Sequence, residues 1–388
     1  MPGFGFSEEQ EMFRSSVRKF AQKELVAGAH ERAKTHGLSR EKVNRIAELG
    51  LLGISIPEEY GGQGGDWVSL GIAIEEMSKV DPWTGNVVIL PGLGLLCLEH
   101  AQEEVKQEWI PALVTGEKIL CFAVTEPEAG SDVSAIRTTA MRDGDYYVLN
   151  GEKAPISMGM DADVVILFAK TDPHAGAKGV TCFWVPLDLE GVSRSLVVHT
   201  GMKPAGCASI FFDNVRIHQK YRVGEEGKGF YIFSASGADY LRVCLSLTGL
   251  GMAEATLEQT IEYVSQRHAF GKPVAKFEGV SFKIAEHYTL IEAAKLLCYR
   301  ALYLKDHGLP HSRESAMCKW WCPEVAFNAI HDCILLHGHV GYSEEHPLEQ
   351  RLRDAMGLEF ADGTAQIMKI IVARELMGKV ASHIKNVR

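Results

Sequence analysis

Two short stretches hold the residues best suited to chemistry. The first is Ala123-Val-Thr-Glu-Pro-Glu-Ala-Gly-Ser-Asp-Val-Ser-Ala135, where an apolar run ends in a polar, glycine-containing turn. Thr125, Ser131 and the backbone N–H groups around Gly130 could hydrogen-bond a planar polar ligand, or equally satisfy the turn itself. Binding residues tend to sit on loops held by rigid elements, which makes this turn a candidate. The second stretch is Asp362-Gly363-Thr364. A carboxylate there serves either as a general base or as a helix cap, because Asp before Gly-Thr is ordinary helix-start chemistry. An unperturbed aspartate titrates near about 3.9, so a useful base must be raised by desolvation.

Two other patterns carry less. Cys318-Lys-Trp-Trp-Cys322 with His331, His337 and His339 fits no common zinc spacing and reads as helical core, so no metal is expected. Gly249-Leu-Gly251-Met-Ala-Glu lies inside a helical pattern rather than after a strand, which argues against a dinucleotide loop.

The elements that must position these residues follow from periodicity. Ser7-Glu8-Glu9-Gln10 has the form of a capping box, and Phe13, Val17, Phe20 and Ala21 recur at helical spacing. Val43, Ile46 and Leu49 predict a second helix ending near Gly53, with Pro57 to Gly62 as a loop. Val105, Trp109, Ile110 and Leu113 form a helical stripe that stops at Gly116, so residues 1–118 read as a helical domain. The period then changes. Runs at Ile119–Val124, Tyr146–Leu149, Val164–Ala169, Val180–Val185 and Ile210–Ile217 predict a small barrel or sandwich over 119–228. Gly224–Gly229 reads as a linker, and helical spacing returns over 229–388. There Leu245, Leu247, Ile261, Ile284, Leu290, Leu296, Ala301, Ala326 and Ile330 are expected core positions. The fold class is α+β: helical, then β, then helical.

Composition bounds the partners. A chain of 388 residues suggests two or three domains, and its net charge of −10 argues against a nucleic-acid partner. Nine scattered cysteines do not form a disulfide framework, and the N-terminal Met-Pro-Gly-Phe-Gly-Phe-Ser-Glu-Glu resembles neither a secretion signal nor a transit peptide. A bacterial cytoplasmic location is expected. No apolar run reaches membrane-spanning length; Val87–Leu98 is broken by Pro91 and two glycines.

Three separated motifs resemble the acyl-CoA dehydrogenase family of flavoproteins. Ala123–Ala135 matches its first signature. Arg267-His-Ala-Phe270-Gly271-Lys-Pro follows, and then Gly338, Gly341, Tyr342, Pro347, Glu349, Arg353-Asp354-Ala355 and Asp362-Gly363-Thr364 keep the family's order and spacing. The resemblance spans nearly the whole chain. It implies an N-terminal α-helical domain, a middle β-barrel domain and a C-terminal four-helix bundle. It also implies FAD as cofactor, an acyl-CoA substrate, an electron-transfer flavoprotein as acceptor and a homotetramer. The acidic net charge does not exclude CoA, whose phosphates need only a few local cations.

A saturated acyl thioester is hard to oxidise, because its α C–H is a weak acid and its β hydrogen must leave as hydride. Side chains cannot accept hydride, so a cofactor must. The resemblance makes Asp362 the base while flavin N5 takes the hydride, with the thioester carbonyl held by the flavin ribityl hydroxyl and the Asp362 N–H. Ser131, Arg242, Asp362 and Gly363 then fall on the substrate side. Phe122, Val124, Thr125 and Ser131 match the segment along the isoalloxazine ring, and Ser157 the residue near N5. Arg267 and Phe270 match residues that reach a neighbouring subunit's FAD, the arginine through its fork of donors. Thr364 and Gln366 match adenine or pyrophosphate contacts.

Departures from the family pattern bear on specificity. Asp362 replaces the usual glutamate and is shorter by one methylene, about 1.5 Å of reach; misplacement by about 1 Å can cost ~100-fold in rate. Leu241 stands where some relatives carry the base, immediately before Arg242. Pro155 replaces a flavin-flanking aromatic, Leu335 a glutamine, and His339 a glycine. Lys203, Ala205 and Cys207 replace an arginine, a serine and a threonine, so no CoA contact is assigned to them. A short base, a missing aromatic and Pro91-Gly-Leu-Gly94 suggest a pocket for an acyl group bulky near its thioester, of the cyclohexane-1-carboxyl-CoA type. The chain also resembles the cyclohexane- and cyclohexene-carboxyl-CoA dehydrogenases of anaerobic bacteria. In the cyclohexene group a second aspartate of the first domain can perform 1,4-elimination; the nearest acid here is Asp81, which favours 1,2-dehydrogenation. Open alternatives are that 1,4-reaction, a short or branched-chain acyl-CoA dehydrogenase, a nitroalkane-oxidase-like oxidase, and a non-catalytic binding protein of the same fold.

Overall fold

The structure, a computed structural model, describes residues 5–233 and 238–381. The capping box forms as expected. Ser7 Oγ accepts from Gln10 N and Gln10 Oε1 from Ser7 N, both at 3.1 Å, starting α1 (Glu8–Phe20). Two short helices follow, α2 (Ala29–Arg32) and α3 (Arg40–Glu48). α3 stops at Gly50 rather than Gly53, because Gly50 adopts φ 71°. Leu49 is therefore exposed, while a separate turn, Leu51–Gly53, buries Leu51 and Leu52.

Next come α4 (Trp67–Ser78), α5 (Pro82–Gly85), α6 (Ile89–Leu98) and α7 (Glu103–Val114), the last ended at Gly116 with φ 72°. α4 is buried almost throughout, including Glu75 and Glu76. Burying carboxylates is costly unless they are paired, and here they are. Arg14 and Arg18 of α1 each reach Glu76 at 2.8 Å. Helices from the far end of the chain complete the cluster: Lys295 of α10 (Glu278–Asp306) meets Glu75 at 3.1 Å and Glu254 of α9 (Ala238–Gln266) at 2.8 Å. The Asp306 carboxylate also accepts from Trp67 N and Val68 N at 2.7 and 3.2 Å, capping α4 from outside it.

Between the helical parts lies one sheet in the order β6-β7-β3-β2-β4-β5-β8, with β1 also on β4. Its strands are β1 (Leu120–Ala123), β2 (Thr139–Asp143), β3 (Tyr146–Ile156), β4 (Val164–Lys170), β5 (Val180–Pro186), β6 (Val192–Leu196), β7 (Ala208–His218) and β8 (Arg222–Val223). β2 and β6 were not expected; their sequences, Thr-Ala-Met-Arg-Asp and Val-Ser-Arg-Ser-Leu, are largely polar and solvent-facing. β1 and β2 lie successively along the same edge of β4, from Leu120 opposite Val164 to Thr139 opposite Lys170. Residues 124–138 are thus a loop inserted into a shared sheet edge.

Gly224–Gly229 is packed, not a loose linker. Gly227 N donates to Thr181 Oγ1 at 2.9 Å, and a Cβ on Gly229 would meet the Thr181 backbone at 2.7 Å. Then come α8 (Gly229–Ile232), α9, a hairpin of β9 (His268–Ala269) and β10 (Lys272–Pro273), α10, α11 (Ser312–His337), α12 (Pro347–Leu358) and α13 (Ala365–Met377). Leu245, Leu247, Ala301, Ala326 and Ile330 are buried as expected, whereas Ile284 is half-buried and Ile261, Leu290 and Leu296 face outward. Helical period identifies an apolar face, not what covers it. Asp354 of α12 joins all three parts, accepting from Trp83 Nε1 at 2.8 Å and Met202 N at 2.6 Å. Among the described residues no helix is long and apolar enough to cross a membrane.

Candidate active site

Asp362 sits in the loop between α12 and α13 with φ 52°, and Gly363 follows at φ 109°. Left-handed backbone is tolerated by Asp more readily than by most side chains, which suits this substitution to this turn. The cap of α13 is Thr364, whose Oγ1 accepts from Ile367 N at 3.4 Å. The helix-cap role is therefore filled without the Asp362 carboxylate. Asp362 is exposed to solvent, yet protein crowds around its carboxyl, with Lys319 and Arg242 near enough to act on its charge. Burial raises its carboxyl above the ordinary aspartate range, and the cations Lys319 and Arg242 offset part of that rise.

Those two cations frame the loop. Lys319, fully buried on α11, donates to Leu358 O at 2.7 Å and to Gly363 O at 3.2 Å, one carbonyl on each side of Asp362. Burial pulls its ammonium down to about 8. Arg242 of α9 donates to Asp239 at 2.6 Å, while its buried Nε has no partner among the described residues. Leu241 beside it is buried and apolar.

The strand-turn segment is locked from behind. Phe122 on β1 is half-buried, and Phe233 lies across it at 6.0 Å with rings 23° apart. Lys153, fully buried on β3, donates to Val124 O at 2.8 Å and to Glu126 at 2.9 Å; Glu126 also accepts from Thr138 N at 2.9 Å. Burial outweighs the pairing at Lys153 and lowers it to about 8, whereas Glu126 stays below its usual range because Lys153 and the backbone donors overcome its own burial. Thr125 and Ser131 are left with no side-chain partner among the described residues, Ser131 fully at the surface. Ser157 is also exposed and touches Cys207 Sγ only at 3.6 Å. Hydroxyls and a turn glycine that face outward while the charged groups face inward fit a planar polar cofactor laid against this surface.

Arg267 and Phe270 stand apart, at the β9–β10 hairpin. Phe270 and Gly271 form its two-residue turn with φ 52° and 79°. An aromatic residue in left-handed backbone, 95% exposed, is an expensive feature in a lone chain. Arg267 is exposed and makes no side-chain hydrogen bond or ion pair among the described residues. Gln366 is likewise exposed, in the first turn of α13. Sequence reasoning missed Glu126, Lys153 and Lys319. A lysine inside a strand or helix otherwise rich in buried positions was the only available signal.

One expectation about the pocket changes. A Cβ on Gly92 would meet Tyr240 Oη at 2.8 Å, Ser55 Oγ at 3.0 Å and Trp67 at 3.3 Å, while Gly94 packs against Leu113, Leu120 and Trp184. The Pro91–Gly94 glycines admit side chains of the protein, so they supply no extra acyl space. Asp81 is committed to Arg32 at 2.8 Å and to Thr84 N at 3.2 Å, which weakens it as a second acid. A cleft of ≈ 340 Å³ beside Asp81, Trp83 and Arg351 is lined by none of the cofactor- or substrate-site candidates.

Three sequence models match the chain: the acyl-CoA dehydrogenase N-terminal domain at residues 7–117, the middle domain at 121–215 and the C-terminal domain at 227–377. The mitochondrial short-chain specific acyl-CoA dehydrogenase of Rattus norvegicus is 37% identical over 374 residues, 95% of this chain and 90% of that protein. The 3-(aryl)acrylate reductase of Clostridium sporogenes is 36% identical over 376 residues, 96% and 99% of the two chains. A chain solved in work on the electron transferring flavoprotein of Acidaminococcus fermentans is 34% identical, with a TM-score of 0.93 over 97% of this chain and 99% of its own. With all three domains matched in order along the chain, it belongs to the acyl-CoA dehydrogenase family, flavin oxidoreductases whose cofactor is FAD.

Proposed function

We propose that the chain catalyses α,β-dehydrogenation of an acyl-CoA thioester with a compact acyl group, short or alicyclic, and that Asp362 removes the α proton. The observation that carries this reading is a carboxyl of raised proton affinity beside the cations Lys319 and Arg242, in a loop whose helix cap is supplied by Thr364 instead. Bound FAD would supply the hydride acceptor. Thr125, Ser131 and Ser157 would hold the flavin ring edge, Phe122 and Val124 its face, and Thr364 and Gln366 the nucleotide end. The Asp362 N–H would hold the thioester carbonyl, while Ser131, Arg242 and Gly363 bound the acyl-CoA side.

The short base and Pro155 support a cyclic acyl group such as cyclohexane-1-carboxyl-CoA; the names of the relatives support a short one. Assembly as a homotetramer is supported by the outward Phe270, Tyr342, Leu335, Ile261, Leu290 and Leu296. An electron-transfer flavoprotein as acceptor is supported by the likeness to the Acidaminococcus chain. Nine buried free thiols suit a reducing cytoplasm. The test is anaerobic bleaching of the visible flavin band by cyclohexane-1-carboxyl-CoA and butyryl-CoA. Bleaching by either upholds the reaction, and their relative rates assign the acyl group. Failure of both, with oxygen consumption on a nitroalkane, overturns it.

A further inference from the structure

Where α10 packs against α11, three thiols converge. Cys298 comes from α10, and Cys318 and Cys322 lie one turn apart on α11. None has accessible surface, their sulfurs all lie within 4.8 Å of one another, and Cys298 and Cys322 are 3.6 Å apart. The i, i+4 pair was visible in sequence; the third sulfur was not, because it arrives through helix packing. We propose that this cluster is a binding site for a soft d10 cation, Cu(I) by chemical class.

The geometry and the donor set support one occupant. Sulfurs bound to a single metal at about 2.3 Å stand roughly 3.8–4.0 Å apart in tetrahedral or trigonal arrangement, within the spacing seen. Small rotations about the Cys side chains bring all three onto one ion. Thiolates select Cu(I), zinc and iron–sulfur clusters. A cluster needs four cysteines, and closed zinc sites take a fourth ligand. No His, Asp or Glu joins the three among the described residues, and the nearby Ser246 hydroxyl donates to Arg242 O at 2.7 Å. Three-coordinate Cu(I) is the arrangement that remains.

Two features of α11 favour occupancy. Lys319, next to Cys318, is close enough to Cys322 for the two to interact electrostatically, so its ammonium offsets the negative charge of the thiolates. Pro323, next to Cys322, cannot donate to the Lys319 carbonyl one turn back, which gives the helix local slack. Binding displaces the thiol protons and transfers no electrons. Occupancy would tie α10 to α11 at the level of Lys319, and through it stiffen the loop of the base. Cysteines that merely fill a core need not converge, and no other group of three such ligands occurs among the described residues.

The test is copper content of the full chain produced with added copper and purified anaerobically under reducing conditions, then again after anaerobic Cu(I) titration. The expected result is one copper per chain with three sulfur neighbours by X-ray absorption, falling to none in Cys298→Val and unchanged in Cys333→Ser. Circular dichroism checks that Cys298→Val is folded, and Cys318→Ala replaces it if it is not. No copper in the native chain under either condition, equal copper in Cys298→Val, or a Cys298–Cys322 disulfide in the purified chain overturns the proposal.

Discussion

Lys319 holds the carbonyl of Gly363, the residue after the proposed base, at 3.2 Å, and the carbonyl of Leu358 before it at 2.7 Å. One buried ammonium thus fixes both ends of a loop that has two consecutive residues at positive φ. It also lowers the proton affinity of Asp362.

Replacing Lys319 with Met should slacken the loop and lower kcat/KM by about 10- to 100-fold, in line with displacements near 1 Å. It should also move the acidic limb of the pH profile upward. The sign follows from charge: without the cation, Asp362 holds its proton to higher pH, and a base must be ionised to act. An acidic limb that stays in place would refute the electrostatic coupling.

Asp362→Ala should nearly abolish turnover while the purified protein keeps its flavin absorbance. Asp362→Asn should in addition raise the melting temperature at pH 7. The folded pKa lies above the unfolded value near 3.8, so ionising this carboxyl opposes folding once the pH exceeds that window. The gain should disappear in acid below the unfolded value, and a melting temperature lower than wild type at neutral pH would contradict it.

Lys153 and Glu126 form a buried pair behind the turn proposed to face the flavin. Removing either partner alone leaves an unpaired charge and should cost about 3–5 kcal/mol. Lys153→Met and Glu126→Gln should each melt early and lose flavin. The double variant should recover part of the loss, and thermal unfolding of all three decides the matter.

Phe270→Ala should reduce assembly measured by light scattering, and Arg267→Ala should weaken FAD retention. Losing a charge-assisted contact of roughly 1.5–3 kcal/mol corresponds to about a 10- to 100-fold rise in Kd. Dialysis followed by the flavin-to-protein ratio reads it. Full retention in Arg267→Ala would remove this residue from the cofactor site.

The local signals were legible: Ser7 and Gln10 close the box they suggested, and Gly116 ends its helix. At Asp362-Gly363-Thr364 the sequence allowed a cap or a base, and only the backbone course showed Thr364 capping the helix. The polar strands β2 and β6 escaped because much of their surface faces solvent and their order comes from ladder pairing. Lys153, Lys319 and Cys298 escaped for another reason: each acts on a residue that folding brings near from elsewhere in the chain. The glycines of Pro91–Gly94 were misread as vacant space because sequence does not reveal the aromatic rings that fill it.

The pairing of Glu75 with Lys295 has a consequence for biosynthesis. α4 is translated more than two hundred residues before its partner lysine, and the whole β segment emerges in between. The leading helices therefore leave the ribosome with Glu76 already able to meet Arg14 and Arg18, but with Glu75 short of Lys295 and an apolar surface whose covering helices have not yet been made. Their docking waits for the last third of the chain. A nascent chain halted within the β domain should expose this face to chaperones and proteases, and protection should appear only after α10 has cleared the exit tunnel.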